Sequence, residues 1–219
     1  MIERVRVSPD AWSRMRLYVE CCDTEIGGLG LGTLEGSIFH LEEVVLIEQD
    51  VTEMDTLLSP DGLARFLHEL VEGGGSPARV KVWWHSHVNH ALKWSRQDEE
   101  TIRQLNHDYL LSLIGNKSGQ WLCRLDLVGP PARTVEPVPL GPTEEAGAVD
   151  PALRASIERE VAEKVKSWEL VRIPGQGGFF FGTEIVTSDY SYALESYGSF
   201  LLPWEGSHGD PASGSETEE

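Results

Sequence analysis

Residues 83–100, WWHSHVNHALKWSRQDEE, gather the side chains of this sequence that could do chemistry. His85 and His87 stand two apart at the end of a strand-like run, so in an extended backbone both imidazoles leave the same face. Neutral imidazole nitrogen is among the commonest zinc donors, and two at a fixed separation supply half of a tetrahedral shell. Asp98 follows eleven residues after His87, in the first turn of a predicted helix. Its carboxylate would complete a two-histidine, one-carboxylate set and leave the fourth position to water, which is what separates a catalytic zinc from a structural one. Each part also has a plain structural reading. Ser95-x-x-Asp98 is how a helix begins, with serine as N-cap and an acid near the positive end of the macrodipole. HxH alone is two loop histidines, and His90 reads as solvated or as standing behind the ligands. The combination carries the functional reading, because a strand delivering two histidines runs directly into a helix whose first turn presents Ser95 and Asp98.

The elements that must position these residues are marked by caps and periodicity. Ser8-Pro9-Asp10 opens a first helix whose Trp12, Met15, Val19 and Cys22 share a face. A glycine-rich strand follows over 25–33, EIGGLGLGT, then a turn at Glu35-Gly36 and a β-rich run over 37–47, which together read as a hairpin. Ser59-Pro60-Asp61 opens an amphipathic helix with Leu63, Phe66, Leu67, Leu70 and Val71 on one stripe, stopped by Gly73-Gly74-Gly75. Residues 79–84, RVKVWW, predict a buried strand in which alternation puts Trp83 on the face of His85 and Trp84 on the other. A helix over about 96–106 and strands over about 109–114 and 120–128 complete an α/β domain spanning residues 1–129. In the last strand Trp121, Cys123, Leu125 and Leu127 alternate onto one side.

With these elements in place, His85-x-His87, seven residues, Ser95, two residues and Asp98 resembles the HxH-x7-S-x2-D signature of the JAMM, or MPN-plus, zinc metalloproteases. That family also carries a glutamate near the start of a strand after the first helix, where this sequence has Glu25 in TEIGGLGLG. The order of helices and strands matches over residues 1–129 and no further. The resemblance implies a mixed β-sheet flanked by helices, with cytidine-deaminase-like layering, and a C-terminal helical or irregular extension outside it. It implies that His85, His87 and Asp98 hold one Zn²⁺ per chain, with water as the remaining ligand. Glu25 is then the general base, taking the water proton and passing it to the leaving amine, and Ser95 donates a hydrogen bond to the developing oxyanion. The implied reaction is metal-assisted hydrolysis of an amide, commonly an isopeptide at the C-terminal tail of a ubiquitin-like protein. The chain is compact between Glu25 and Val128, without the insertions by which deubiquitinating eukaryotic relatives grip ubiquitin. In this it resembles prokaryotic members, whose substrates include ubiquitin-like and sulfur-carrier proteins. Two other readings stay open: a non-catalytic scaffold of the same fold, and a metallohydrolase of small peptides.

Composition narrows the partners. Lys and Arg number 18 against 36 Asp and Glu in 219 residues, a formal net charge of −18. That balance speaks against nucleic acid, whose binding rests on neutralising phosphates, and against an anionic membrane surface. The opening MIERVRVSPD has no apolar run of the secretory type, and three cysteines, two of them adjacent, build no disulfide framework, so a reducing, cytoplasmic setting is expected. Five of the 12 prolines fall within 130–150, so 130–149 reads as a linker or an extended segment laid over the surface. Asp150-Pro151 opens a helix over about 151–170 whose Leu153, Ile157, Val161, Val165 and Trp168 must cover the first domain or a partner chain, which would make a homo-oligomer. The rest of the extension, 171–204, gives no reading, and the acidic end, 205–219, is expected to be disordered.

Overall fold

The computed structural model describes residues 1–51, 56–144 and 150–167, together with the backbone of 170–172, 179–181 and 184–186. Trp168 and the acidic end, 205–219, lie outside the described residues. One unit, Met1–Ser188, contains everything described.

Each helix begins where its cap predicts. The Ser8 hydroxyl accepts from the Ala11 N–H at α1 (Pro9–Cys21), and Ser59 accepts from the Gly62 N–H at α2 (Pro60–Glu72). Ser95 accepts from the Asp98 N–H at α3 (Arg96–Leu105), and Asp150 from the Ala152 N–H at α4 (Pro151–Lys164). These bonds satisfy amide donors that the first helical turn leaves without intrahelical partners.

The strands are β1 (Arg4–Val7), β2 (Gly27–Glu35), β3 (Ile38–Leu46), β4 (Gln49–Val51), β5 (Thr56–Leu58), β6 (Val80–Ser86), β7 (Tyr109–Gly115), β8 (Trp121–Leu127), β9 (Arg133–Val135), β10 (Leu140–Pro142) and β11 (Val165–Ser167). Eight of them form one mixed sheet in the order β10-β1-β3-β2-β6-β7-β8-β9, and β11-β4-β5 form a second, smaller sheet. Beyond β11, β12 (Leu170–Arg172), β13 (Phe179–Phe181) and β14 (Glu184–Val186) pair antiparallel. The hairpin of β2 and β3 turns at Gly36, whose φ of 62° lies in the left-handed region that glycine tolerates. Gly28 is required for another reason: a Cβ there would stand 2.1 Å from the Val45 carbonyl oxygen of β3.

Alternation in β6 divides the core between the two sheet faces. Val82 and Trp84 enter a large cluster with Val5, Met15, Phe39, Leu111, Leu113 and Leu125, under α1 and α4. Trp84 stacks on Tyr18 at 5.4 Å between centroids and donates its Nε1–H to the Leu29 carbonyl. Trp83 enters a smaller cluster with Leu29, Ile47, Ile102 and Leu110, against which Leu63 and Phe66 of α2 pack. The expected face of β8 is observed too, with Cys123 and Leu125 buried and Trp121 and Leu127 packed beside them.

Two expectations are corrected. The proline-rich stretch is more than a linker, because β9 pairs with β8 and β10 runs parallel to β1, so residues 130–142 extend the main sheet at both edges. The C-terminal helix ends at Lys164 instead of reaching 170, because Val165 begins β11 and pairs with Gln49 of β4. Its stripe is used within the chain: Ile157 is fully buried, and Leu153, Val161 and Val165 pack on the core around α1. Tyr18 of α1 also donates its hydroxyl to Glu160 at 2.7 Å.

Candidate metal centre

The parallel pairing of β6 with β7 requires a crossover, and α3 supplies it. The end of β6 and the start of α3 therefore meet at the carboxyl edge of the sheet, where crevices in open α/β sheets form. His85 is the penultimate residue of β6 and is 0% exposed. His87 follows the strand, its N–H bonded to the Gly115 carbonyl at the end of β7. Val88 then takes a φ of 45°, a conformation a β-branched residue adopts only when its surroundings hold it there. The turn this makes lets the His87 ring nitrogen Nδ1 reach the Ala91 carbonyl at 3.1 Å.

Asp98 completes the group from the first turn of α3. Donor atoms of His85, His87 and Asp98, all three residues buried, lie within 4.8 Å of one another and could hold a metal ion. The imidazole Nε2 atoms are 3.0 Å apart; His85 Nε2 is 3.2 Å from Asp98 Oδ1 and His87 Nε2 is 3.6 Å from Asp98 Oδ2. Ligands about 2.0–2.1 Å from a tetrahedral ion stand about 3.3 Å from each other, so the spacing fits a small divalent cation. The chemistry of the set fits as well. The Ala91 contact assigns the His87 proton to Nδ1 and leaves the Nε2 lone pair facing its neighbours. Asp98 is aimed by a capping box: Ser95 Oγ accepts the Asp98 N–H at 3.0 Å while Asp98 Oδ2 accepts the Ser95 N–H at 2.6 Å. The capping box of Ser95-x-x-Asp98 is thus observed, and the same geometry leaves Asp98 where it could serve as a ligand.

Electrostatics follow from burial and from this clustering. Burial works to raise the Asp98 carboxyl, but bonds from His85, His87 and the Ser95 N–H outweigh it and hold the group well below the usual carboxylate range. Full burial pushes the His85 imidazole below its ordinary value, which keeps it neutral. At His87 burial lowers the pKa, but Asp98, the Ala91 carbonyl and the charge of Glu25 outweigh it and raise the group. Aromatic rings wall the site. Trp83 stacks on the His85 ring at 4.3 Å and 20°, on the face that alternation predicts, and Trp94 lies 6.1 Å from the same ring.

Glu25 stands two residues before β2, 7% exposed, and its charge reaches His87. Two side chains that sequence reasoning missed hold its segment. The Ile26 N–H donates to Ser86 Oγ at 3.2 Å and the Ser86 N–H to the Ile26 carbonyl at 2.8 Å, so the residue between the two histidines ties Glu25 to the end of β6. On the other side β3 has already ended, and the buried Gln49 amide takes its place. Its Oε1 accepts the Gly27 N–H at 2.8 Å, and its Nε2 donates to the Gly27 carbonyl at 2.7 Å. Gly27 has to be small, because a Cβ there would meet Trp84 O at 2.9 Å and His85 Cβ at 3.1 Å. Ser86 could have been suspected from its place in HSH; nothing local in the sequence marks Gln49. Ser95 is exposed at the mouth of the site, and His90 is exposed beside it.

Fold and site together define a mixed α/β protein with a sheet flanked by helices and a buried two-histidine, one-carboxylate cluster able to hold a metal ion. No protein-family model and no curated protein matches the chain. Among solved structures, the solution structure of protein DSY2949 from Desulfitobacterium hafniense aligns with 64% of this chain and 94% of that one, at 17% identity and a TM-score of 0.49. A likeness of that degree bears on neither family nor activity. Among the described residues, no helix is long and apolar enough to cross a membrane.

Proposed function

We propose that this protein is a zinc-dependent metallopeptidase or isopeptidase of the JAMM type, hydrolysing an amide bond at the C-terminal tail of a ubiquitin-like or sulfur-carrier protein. One observation carries the reading: His85, His87 and Asp98 converge in a buried cluster with Ser95 and Glu25 at its border. The metal ion, when bound, polarises a carbonyl and brings the pKa of water toward neutrality. The chain's own residues supply the rest. Glu25, a nearly buried carboxylate close enough to His87 to raise its pKa, takes the proton from attacking water and returns it to the departing amine nitrogen. Ser95 Oγ already accepts the Asp98 N–H, so its own hydrogen is left to donate to the substrate oxygen as negative charge develops there. Trp83 and Trp94 exclude water from the inner side of His85 and fix its ring.

The test is metal analysis of the purified protein joined to cleavage of ubiquitin-like and sulfur-carrier fusions, beside fluorogenic short peptides. About one zinc per chain, chelator-sensitive cleavage of the fusions, and a loss of at least about 100-fold in Glu25→Gln are expected. Cleavage at the wild-type rate by Glu25→Gln removes the assigned mechanism, and preference for short peptides replaces the substrate class.

A further inference from the structure

Arg124 lies outside the ligand set, two strands away from β6, and is only 7% exposed. Trp83 pairs with Ser112, and Ser112 with Arg124, so Arg124 leaves the sheet on the face that carries Trp83 and His85. There its guanidinium grips two carboxylates at once. Nε donates to Asp126 Oδ2 at 2.7 Å and Nη2 to Asp126 Oδ1 at 3.0 Å, while Nη1 and Nη2 take the two oxygens of Glu99, the latter at 2.8 Å. Its Cζ also lies 5.2 Å from the centre of the Trp94 ring. Asp126 belongs to β8 itself, whereas Glu99 and Trp94 are the chain neighbours of Asp98 and Ser95. Trp94 is anchored a second time, donating Nε1–H to Glu136 at 2.7 Å.

A cation so enclosed is not explained by stability, since replacing buried ion pairs with apolar side chains is often neutral or favourable. What a planar, forked guanidinium does supply is direction, holding two carboxylates in fixed orientations beside an aromatic ring. We propose that Arg124 is the positioning residue of the metal centre. Through Glu99 and Trp94 it pins the first turn of α3 to β8, and so sets how far the Asp98 carboxylate stands from His85 and His87. This inference rests on the cluster binding a divalent cation.

The test measures Zn²⁺ affinity by chelator competition and the Co²⁺ visible absorption spectrum, with thermal unfolding followed in parallel. Lysine carries the charge but cannot hold both carboxylates and the ring, so Arg124→Lys should weaken Zn²⁺ binding about tenfold and alter the Co²⁺ spectrum. Glu99→Gln should weaken binding in the same sense, and Arg124→Lys added to Glu99→Gln should cost less than Arg124→Lys costs alone, because the two share the Glu99 contact while the Trp94 contact is lost only with Arg124. Leu111→Ala opens a cavity on the opposite face of the sheet, and should lose stability while binding Zn²⁺ within about twofold of wild type. If Arg124→Lys does not fold, Glu99→Gln decides, since it leaves the pairing with Asp126 in place. Wild-type protein that binds no Zn²⁺ overturns the cation site. Wild-type protein that binds it, with Arg124→Lys and Glu99→Gln binding as tightly and giving the same spectrum, overturns only the role of Arg124. Equal loss in Leu111→Ala overturns that role as well.

Discussion

Ser95→Ala separates three roles, one of them the cap that the geometry shows and two that the proposed function adds, because each has its own size. The substitution removes the acceptor of the Asp98 N–H at 3.0 Å but leaves the backbone N–H of residue 95 donating to Asp98 Oδ2 at 2.6 Å. Loss of an N-cap hydroxyl costs about 1 kcal/mol, which for a chain of this size lowers Tm by about 2–4 °C. Metal affinity should change by less than about threefold, since the bond that aims Asp98 comes from the backbone and survives. Hydrolysis should fall by about 10²–10³, the usual loss when one donor to a developing oxyanion is removed. The assay pairs turnover of a ubiquitin-like fusion with Zn²⁺ competition and thermal unfolding of the same preparation. Ser95→Thr, which keeps a hydroxyl at an exposed cap, should recover both stability and rate. Wild-type turnover in Ser95→Ala would leave the hydroxyl as a cap and nothing more. Turnover and Zn²⁺ affinity falling in parallel would mean that it acts on the ligand, and the argument from the surviving backbone bond would be wrong.

Two further outcomes test the frame around the site. Gly28→Ala forces a Cβ to within 2.1 Å of the Val45 carbonyl, so β2 and β3 must separate, and chemical denaturation should show a loss of about 3 kcal/mol. In chelator-treated protein the ligand cluster makes stability depend on pH in two opposite senses. His87 is raised in the fold, so its contribution is complete below its ordinary value of 6.5 and disappears as pH rises through the folded one; Asp98 is lowered, so its contribution holds above 3.8 and is lost only as pH falls through its lower folded value. His85, lowered by burial, works the other way and adds stability as pH rises to 6.5, so the effect of His87 is read above that value: denaturant midpoints measured between pH 7 and 9 should decline, and Asp98→Asn should flatten that decline. A wild-type profile that rises over the same range would contradict the assignment.

Local signals were readable wherever a residue's job is done by its near neighbours. The caps at Ser8, Ser59, Ser95 and Asp150 hold the amides predicted for them, the turn falls at Gly36, and alternation in β6 sends Trp83 and Trp84 to opposite faces. The spacing from His85 to Asp98 also reads directly, because a strand end and a helix start joined by a short loop leave the three donors few places to go. What did not read was pairing at a distance. The strand β10 is three residues long, carries Pro142, and finds β1 from the opposite end of the sequence that builds the sheet, so neither its composition nor its length advertises it. The helix α4 stops at Lys164 because Gln49 of β4 offers Val165 a strand partner, and no periodicity within residues 151–170 records that competition. Gln49 and Arg124 escaped for the same reason: each acts on backbone or side chains far along the sequence.

These contacts divide the site into two parts with different supports. The cation donors are held within one loop, by the strand end that carries His85, the Ala91 carbonyl behind His87, and the capping box that aims Asp98. Glu25 is held from two sides, by Ser86 between the two histidines at the end of β6 and by the Gln49 amide that takes over where β3 ends. A perturbation of Gln49 therefore acts first on the segment that carries Glu25, and a perturbation of Arg124 acts first on the turn that carries Asp98. On the proposed reading, cation affinity and hydrolysis should therefore respond differently to the two changes. A loss of hydrolysis with cation affinity intact points to the segment before β2, whereas a loss of both points to the first turn of α3. The proposed assignment of Glu25 as the proton carrier depends on that distinction, because a group outside the ligand set can fail while the metal stays bound.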